Sequence, residues 1–212
     1  MIRDLRHLLR RAASRVRRVF GEGPPADCGG APRALYRDPN FAGGEVSPDQ
    51  ARIEEVLSRF LVPAGALLHV GTGSSSLARR FAHRLVRIDG VTVVEAEQRV
   101  ADDLGIPHYR VRLCDKYAPE LAELPGGYDV IVDNNLSSYA CCRRHFHVMM
   151  RTYAALLAPG GVLLTEKRGM AFHEPHAFGL SWRELRALAG PLGLRAKRVS
   201  ATVYALRRVD EQ

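Results

Sequence analysis

Apolar residues recur along this chain at two spacings, one typical of strands and one typical of helices. Short apolar runs that predict buried strands lie at residues 67–70, 91–95, 108–113, 128–132 and 161–165. Apolar residues at intervals of three or four predict helices at 98–104, 138–157 and 182–189, and a further helix begins at Ser47-Pro48-Asp49. Two more β-rich runs, 194–199 and 202–207, end the chain with a very short turn between them.

This alternation of strands and helices predicts a doubly wound α/β fold. Seven strands form a mostly parallel sheet, with an antiparallel hairpin at the C-terminus and a basic helical extension at the N-terminus. The chain divides into a basic helix with a Pro/Gly-rich linker (1–32), a flank with one helix (33–65) and the main domain (66–212).

The other elements are arranged around one stretch, residues 66–75, which reads A-L-L-H-V-G-T-G-S-S. Its apolar strand ends at Gly71-Thr72-Gly73, and Ser74 to Ser76 then open a helical pattern that continues through Leu77, Phe81 and Leu85. Two glycines permit a tight turn close to a ligand, and the N–H groups of a helix start attract polar or anionic groups. The third glycine of the dinucleotide fingerprint is absent.

Composition favours one soluble globular domain, because 46% of the 212 residues are hydrophobic and 25% are charged. No apolar run approaches the roughly 20 residues that span a bilayer. The four cysteines lack paired C-x-x-C spacing, which predicts reduced thiols in a cytoplasmic protein rather than a disulfide framework. Cys141 and Cys142 are most simply small buried residues, and His145 flanks the apolar stripe of the same predicted helix.

The net charge of +8 is concentrated at the N-terminus. Residues 1–20 hold seven arginines against one aspartate, so the other 192 residues carry a net charge of only +2. A nucleic-acid partner is therefore not expected for the body of the protein. The basic amphipathic helix leaves three alternatives: packing on the domain or on a second subunit, peripheral contact with an anionic membrane, or contact with phosphates.

Polar residues end the predicted strands, where ligands of parallel sheets bind. Carboxylates in these positions suit a nucleoside, whose hydroxyls and amine are hydrogen-bond donors. The residues are His69, Glu95, Asp115, Asp133 to Asn135, and Glu166.

Together these motifs resemble the class I (Rossmann-like, seven-stranded) S-adenosylmethionine (SAM)-dependent methyltransferases. H-V-G-T-G-S-S resembles their first motif, Y-D-V-I-V-D-N-N their fourth, and L-L-A-P-G-G-V-L-L the loop and strand after their fourth helix. Glu95 stands where the family binds the ribose hydroxyls, with Glu97 as the next candidate, and Asp115 stands where the family faces the adenine amine. The resemblance implies SAM as cofactor, bound by His69, Gly71, Thr72, Gly73, Ser75, Glu95, Asp115, Asp133 and Asn134. His69 departs from the family, which usually carries an acidic residue there.

The resemblance implies methyl transfer to oxygen or nitrogen of a small metabolite. Asp133-Asn134-Asn135 is not the N-P-P-Y type of segment, and the chain lacks an added recognition domain, so a small-molecule acceptor is favoured. Candidate catalytic residues are His173 and His176, in a Gly-rich and aromatic loop, and Tyr139. Solvated loop histidines and simple packing of Tyr139 are the alternatives. No metal site is expected, because this H-x-x-H pair has no third ligand of suitable spacing.

Two other functions stay open. One is a non-methylating enzyme or pseudoenzyme of the same fold. The other is a membrane- or nucleic-acid-binding protein whose basic helix acts and whose enzyme body is vestigial. For an enzyme, Tyr36 and Phe41 in the flank (33–65) could form a flap over the cofactor. Four basic residues flank the expected acceptor pocket and would suit a carboxylate or phosphate: Arg143, Arg144, Lys167 and Arg168.

Overall fold

The computed structural model describes residues 26–32, 46–171 and 179–209. Within these ranges, seven strands form one sheet in the order β3-β2-β1-β4-β5-β7-β6. β1 to β5 are parallel, whereas β7 is antiparallel to both β5 and β6. The strands are β1 Gly65–Val70, β2 Leu85–Thr92, β3 Tyr109–Leu113, β4 Tyr128–Asp133, β5 Leu157–Glu166, β6 Leu194–Arg198 and β7 Val203–Arg208. The fold class predicted from the sequence is confirmed.

Helices cover both faces of the sheet. They are α1 Pro48–Leu57, α2 Ser76–Phe81, α3 Glu95–Asp103, α4 Arg143–Leu156 and α5 Trp182–Ala189. The first three pack with the core that contains Ile53 and Phe81, and the last two with the core that contains Tyr153 and Leu185. None of the helices in the described ranges is long and apolar enough to cross a membrane.

The second strand lies earlier in the chain than the sequence predicts. Helix α2 ends at Phe81, and Leu85 begins β2 instead of continuing the helix, so the strand ends at Thr92 rather than Glu95. The sequence does not indicate a strand at Asp89 and Gly90, because both residue types are depleted in strands. Asp89 is tolerated in the core because it accepts a hydrogen bond from Tyr128 Oη at 2.7 Å and pairs with Arg87 Nε at 3.1 Å.

Gly90 is required by a close approach of its neighbours. A Cβ atom at this position would lie 2.6 Å from Thr72 Cγ2 and 2.7 Å from Val111 Cγ2. Both neighbours are β-branched, and such side chains have little freedom at χ1. Because residue 90 has no side chain, Thr72 in the loop after β1 can pack closely against β2 and β3.

Helix α4 begins later than predicted, at Arg143 instead of Ser138. Residues 134–142 form an irregular segment that is tied to distant parts of the chain. Tyr117 Oη donates to Ser138 O at 2.7 Å, and Ser137 Oγ donates to Met170 O at 3.2 Å. The segment thus owes its path to side-chain contacts that periodicity does not reveal.

The end of the predicted linker is attached to α4. Arg144 N donates to Ala26 O at 3.0 Å, and the Arg144 guanidinium pairs with Asp27 at 2.9 Å. Residues 26–32 therefore belong to the body of the protein. The predicted basic helix (1–20) and the flap residues Tyr36 and Phe41 lie outside the described residues, so both stay predictions.

Candidate functional site

A cavity of about 340 Å³ opens at the carboxyl ends of β1 to β4. It lies where the chain order reverses, because β1 has β2 on one side and β4 on the other. This is the position at which open α/β sheets bind ligands, and the volume is that of a small-molecule pocket. The start of α1 contributes Ser47 and Gln50 to its rim.

The glycine loop after β1 forms one side of the cavity. Gly71 has a φ of 72° and Gly73 a φ of 54°, values that side-chain-bearing residues rarely adopt. A Cβ atom added to either glycine would meet no heavy atom within 4 Å, so a side chain there would project into open space. The two predicted glycines therefore border the cavity as expected and leave room for a ligand at the backbone.

Glu97 holds the glycine loop in place. Its Oε2 accepts hydrogen bonds from Gly73 N at 2.9 Å, from Thr72 Oγ1 at 3.2 Å and from Thr92 Oγ1 at 2.7 Å. The Gly73 N–H, which could otherwise bind a phosphate, is thus engaged by a carboxylate. A negative charge at this point disfavours a pyrophosphate and favours a ligand with hydroxyl donors or positive charge.

Glu95, the residue expected to bind ribose, lies outside the cavity. Its side chain is 76% exposed and is 3.9 Å from Arg99, one turn further along α3. The expected strand end is not found at Glu95: β2 ends at Thr92, and Glu95 is the first residue of α3. Glu97, two residues later, borders the cavity. The hydroxyls of Thr72 and Thr92 both donate to Glu97, a contact that the hydrophobic periodicity of the sequence does not indicate.

Asp115 borders the cavity in the turn after β3, as expected. Its Oδ1 accepts a hydrogen bond from Tyr117 N at 2.9 Å, which fixes the turn. Oδ2 has no hydrogen-bond partner among the described residues, so it is available to a ligand.

Asp133 borders the cavity, but internal partners occupy its carboxylate. Lys116 Nζ lies 2.8 Å from Oδ2 and 3.1 Å from Oδ1, and Tyr153 Oη donates to Oδ2 at 2.9 Å. Burial raises the pKa of Tyr153 well above its usual value, so its hydroxyl stays a donor. Asp133 therefore positions Lys116 and the turn after β4 rather than offering a free carboxylate. Asn134, the next residue, also borders the cavity.

Ser75 does not reach the cavity. Its side chain is fully buried, and its hydroxyl is 3.0 Å from Tyr109 Oη, whose pKa burial raises to about 12. With a φ of 58°, Ser75 adopts the left-handed conformation, and its hydroxyl does not cap α2. Its neighbours Ser74 and Ser76 border the cavity instead.

His69 does not border the cavity either. It is 1% exposed, and neither ring nitrogen has a hydrogen-bond partner among the described residues. Burial lowers its pKa to about 4, so the ring is neutral at physiological pH. His69 is therefore buried in the interior and does not line the cavity, where a cofactor-binding residue is expected.

Tyr139 is the one proposed catalytic residue that the described ranges contain. It borders the cavity from within the irregular segment and has a φ of 68°. His173 and His176 lie outside the described residues. The four basic residues expected near an acceptor are all exposed and do not border the described cavity, and Arg144 is paired with Asp27.

The charge of the cavity favours a cation. The ionised residues along its described wall are three carboxylates, Glu97, Asp115 and Asp133, and one ammonium, Lys116, which gives a formal net charge of −2. The low-dielectric surroundings strengthen the attraction of such a wall for positive charge.

No family model and no curated protein matches this sequence. Many solved structures do resemble it in fold. One is the SAM-bound amino pentose methyltransferase CalS10 from Micromonospora echinaspora, with a TM-score of 0.60 and 15% identity over 84% of this chain and 99% of that one. Another is the N-methyltransferase NodS from Bradyrhizobium japonicum WM9 with S-adenosylhomocysteine (SAH), with a TM-score of 0.62 and 15% identity over 84% and 96%.

A third is the magnesium protoporphyrin IX methyltransferase ChlM from Synechocystis PCC 6803 with bound SAH. Its TM-score is 0.52, with 18% identity over 79% of this chain and 90% of that one. At such identities the likeness concerns the fold, and it confirms at that level the resemblance seen in the sequence.

Proposed function

We propose that this chain, which has the fold of the class I SAM-dependent methyltransferases, binds SAM and transfers its methyl group to a small molecule. The observation that carries this proposal is the cavity at the switch point, with its open glycine loop and its net charge of −2. SAM carries a sulfonium, an ammonium and a carboxylate, hence a net positive charge, whereas a dinucleotide would bring a pyrophosphate to the Gly73 N–H that Glu97 already engages.

Two carboxylates suit the nucleoside part of SAM. Glu97 uses Oε2 for the glycine loop, and its Oε1 has no hydrogen-bond partner among the described residues, so it can accept from the ribose hydroxyls. Asp115 can accept from the adenine amine through Oδ2. The glycine loop would lie against the rest of the cofactor, which supplies an electrophilic methyl group when bound.

The acceptor would enter on the side of Tyr139 and Asn135, after β4. Transfer is an in-line displacement, so this side must hold the nucleophile close to the methyl group and keep water out. CalS10 is an amino pentose methyltransferase, NodS is an N-methyltransferase, and ChlM is a magnesium protoporphyrin IX methyltransferase. The acceptors named for CalS10 and ChlM support a small-molecule acceptor for this chain. Oxygen or nitrogen as the methylated atom, and His173 or His176 as the base, remain our predictions.

Calorimetric titration with SAM and with SAH tests the proposal. We expect both to bind with dissociation constants between about 1 µM and 1 mM, the range of typical KM values. NAD⁺ serves as the control ligand and should not bind, because its pyrophosphate meets Glu97. Absence of binding by SAM and SAH at near-millimolar concentration would remove the proposal.

Transfer is tested separately, by incubating the protein with SAM labelled in the methyl group and a pool of metabolites. Label in a small-molecule product supports a methyltransferase. Tight binding of SAM without transfer to any fraction would support the alternative of a non-methylating member of the fold.

A further inference from the structure

Three cysteines and one histidine meet at the start of α4, outside the cavity. Cys28 comes from the N-terminal segment, Cys141 and Cys142 directly precede α4, and His145 lies in its first turn. The three Sγ atoms and the His145 Nδ1 atom all lie within 4.8 Å of one another.

Four of the six distances between the ligand atoms are close to the edges of a metal-centred tetrahedron. His145 Nδ1 lies 3.4 Å from Cys28 Sγ, 3.3 Å from Cys141 Sγ and 3.2 Å from Cys142 Sγ. Cys28 Sγ and Cys141 Sγ are 3.7 Å apart. A Zn²⁺ ion with Zn–S bonds of about 2.3 Å and a Zn–N bond of about 2.0–2.1 Å holds tetrahedral sulfurs about 3.8 Å apart, and sulfur and nitrogen about 3.5 Å apart.

Hydrogen bonding alone does not account for this arrangement. A single ring nitrogen either donates one proton or accepts one, whereas three sulfur atoms converge on His145 Nδ1. Thiols are also weak donors and acceptors. A metal ion resolves the conflict, because each of the four atoms then directs a lone pair to the same centre.

We propose that Cys28, Cys141, Cys142 and His145 bind one Zn²⁺ ion. Soft thiolates with one imidazole select zinc among the common divalent ions. Four protein ligands fill a tetrahedral shell and leave no open position, which makes this a structural site. Three thiolates and Zn²⁺ carry a net charge of −1, and Cys142, the residue that caps α4, already accepts from His145 N at 3.4 Å. The helix N-terminus therefore stabilises the charge.

This site would fasten residues 26–32 to the body of the protein. The same segment is attached to α4 through Ala26 O and Asp27, which contact Arg144. Tyr139, at the rim of the cavity, lies only two residues before Cys141. Zinc would thus hold the wall of the cavity on which the acceptor is expected. In the sequence, only His173 and His176 have a spacing that suggests a metal, and these four ligands are not recognisable from spacing.

Zinc content of the full-length protein tests the proposal. The protein is expressed with added zinc, purified under reducing conditions without strong chelators, and examined by mass spectrometry of the intact chain and by elemental analysis. We expect about one zinc per chain, and X-ray absorption with three sulfur neighbours at about 2.3 Å and one nitrogen at about 2.0–2.1 Å. Background zinc content, or a mapped disulfide between Cys28 and Cys141, would overturn the proposal.

Variants locate the site. Cys28→Ser should lose zinc while the fold persists, since Cys28 lies at the edge of the structure, and Cys114→Ser should keep it because Cys114 is the cysteine outside the cluster. Zinc retained in full by Cys28→Ser would also overturn the proposal. If that variant does not fold, Co²⁺ in the wild-type protein decides: strong visible absorption of a tetrahedral thiolate complex supports the site, and its absence refutes it. None of these readouts depends on SAM.

Discussion

The two walls of the cavity are held in different ways. The glycine-loop wall (residues 70–76, 91–97 and 114–117) consists of segments that follow three parallel strands, and Glu97 joins the first of them to the end of β2. The β4 wall (Asp133 and the irregular segment 134–142) depends on contacts with residues far away in the chain, among them Met170 and Cys28.

The difference separates what the sheet determines from what individual side chains determine. The turns that follow neighbouring parallel strands lie together at one edge of the sheet. The position of the glycine-loop wall is therefore largely a consequence of the fold. The β4 wall has no regular structure of its own, and each of its contacts can change without changing the sheet. We therefore expect damage to the first wall to affect cofactor binding, and damage to the second to affect the acceptor.

The largest effect is expected from Gly90→Ala. The new methyl group would lie 2.6 Å from Thr72 Cγ2 and 2.7 Å from Val111 Cγ2, and both neighbours are held in the core. Overpacking of this kind costs about 3 kcal/mol at the upper end, and it pushes Thr72 toward the cavity. Urea unfolding should show the loss of stability, and calorimetry a weaker binding of SAM. The matched control is Gly190→Ala, whose added Cβ meets nothing within 4 Å. A similar loss in both variants would contradict the argument.

Next in size is Glu97→Gln, with Glu95→Gln as its control in the same turn of α3. Removing the charge from Glu97 weakens the hydrogen bonds it accepts from the glycine loop and those proposed with ribose, each worth about 1.5–3 kcal/mol. We expect SAM binding to weaken more than about tenfold, which corresponds to 1.4 kcal/mol. Glu95, with a side chain that is 76% exposed, should be replaceable without effect. The reverse result would restore Glu95 as the ribose ligand.

Glu95 and Glu97 also show how much of the site the sequence alone predicts. The glycine loop, β4 and the helix at Trp182–Ala189 were predicted correctly because each depends on local periodicity. Glu95 was chosen over Glu97 because the end of β2 was misplaced, and β2 was misplaced because Asp89 does not look like a strand residue. Asp89 is stable in the core because Tyr128, which lies 39 positions later, donates a hydrogen bond to its carboxylate.

The β4 wall was predictable to a smaller extent. Tyr139 was placed correctly beside the cavity, since it follows a strand end. The first residues of α4 were assigned wrongly, because the segment before it is shaped by Tyr117, Ser137 and their distant backbone partners. The contact between Cys28 and His145 spans 117 positions, and no spacing rule connects the two.

His69, on the strand that leads into the glycine-loop wall, makes stability depend on pH. Its pKa is about 4 in the folded chain and near 6.5 when unfolded, so the unfolded chain binds more protons between these values. Stability contributed by neutral His69 is therefore lost as the pH falls from about 6.5 toward 4. Between pH 7 and pH 5 the loss should be roughly 2 kcal/mol.

Urea unfolding at both pH values measures this loss, and His69→Leu should reduce it. His83→Gln, a change at an exposed histidine, should leave the pH dependence as it is in the wild-type protein. Equal pH dependence in the wild-type protein and in His69→Leu would show that His69 is not the titrating group.

The smallest effect, and the sharpest comparison of the two walls, is expected from Ser137→Ala. Ser137 is fully buried and does not border the cavity, but its hydroxyl donates to Met170 O at 3.2 Å. Loss of one such hydrogen bond costs about 1 kcal/mol and loosens the β4 wall near Tyr139. Because the glycine-loop wall is untouched, the dissociation constant of SAM should change less than about twofold. Methyl transfer, measured with labelled SAM, should slow or require more acceptor. A loss of SAM affinity as large as that in Glu97→Gln would show that the two walls are coupled and cannot be treated as separate units.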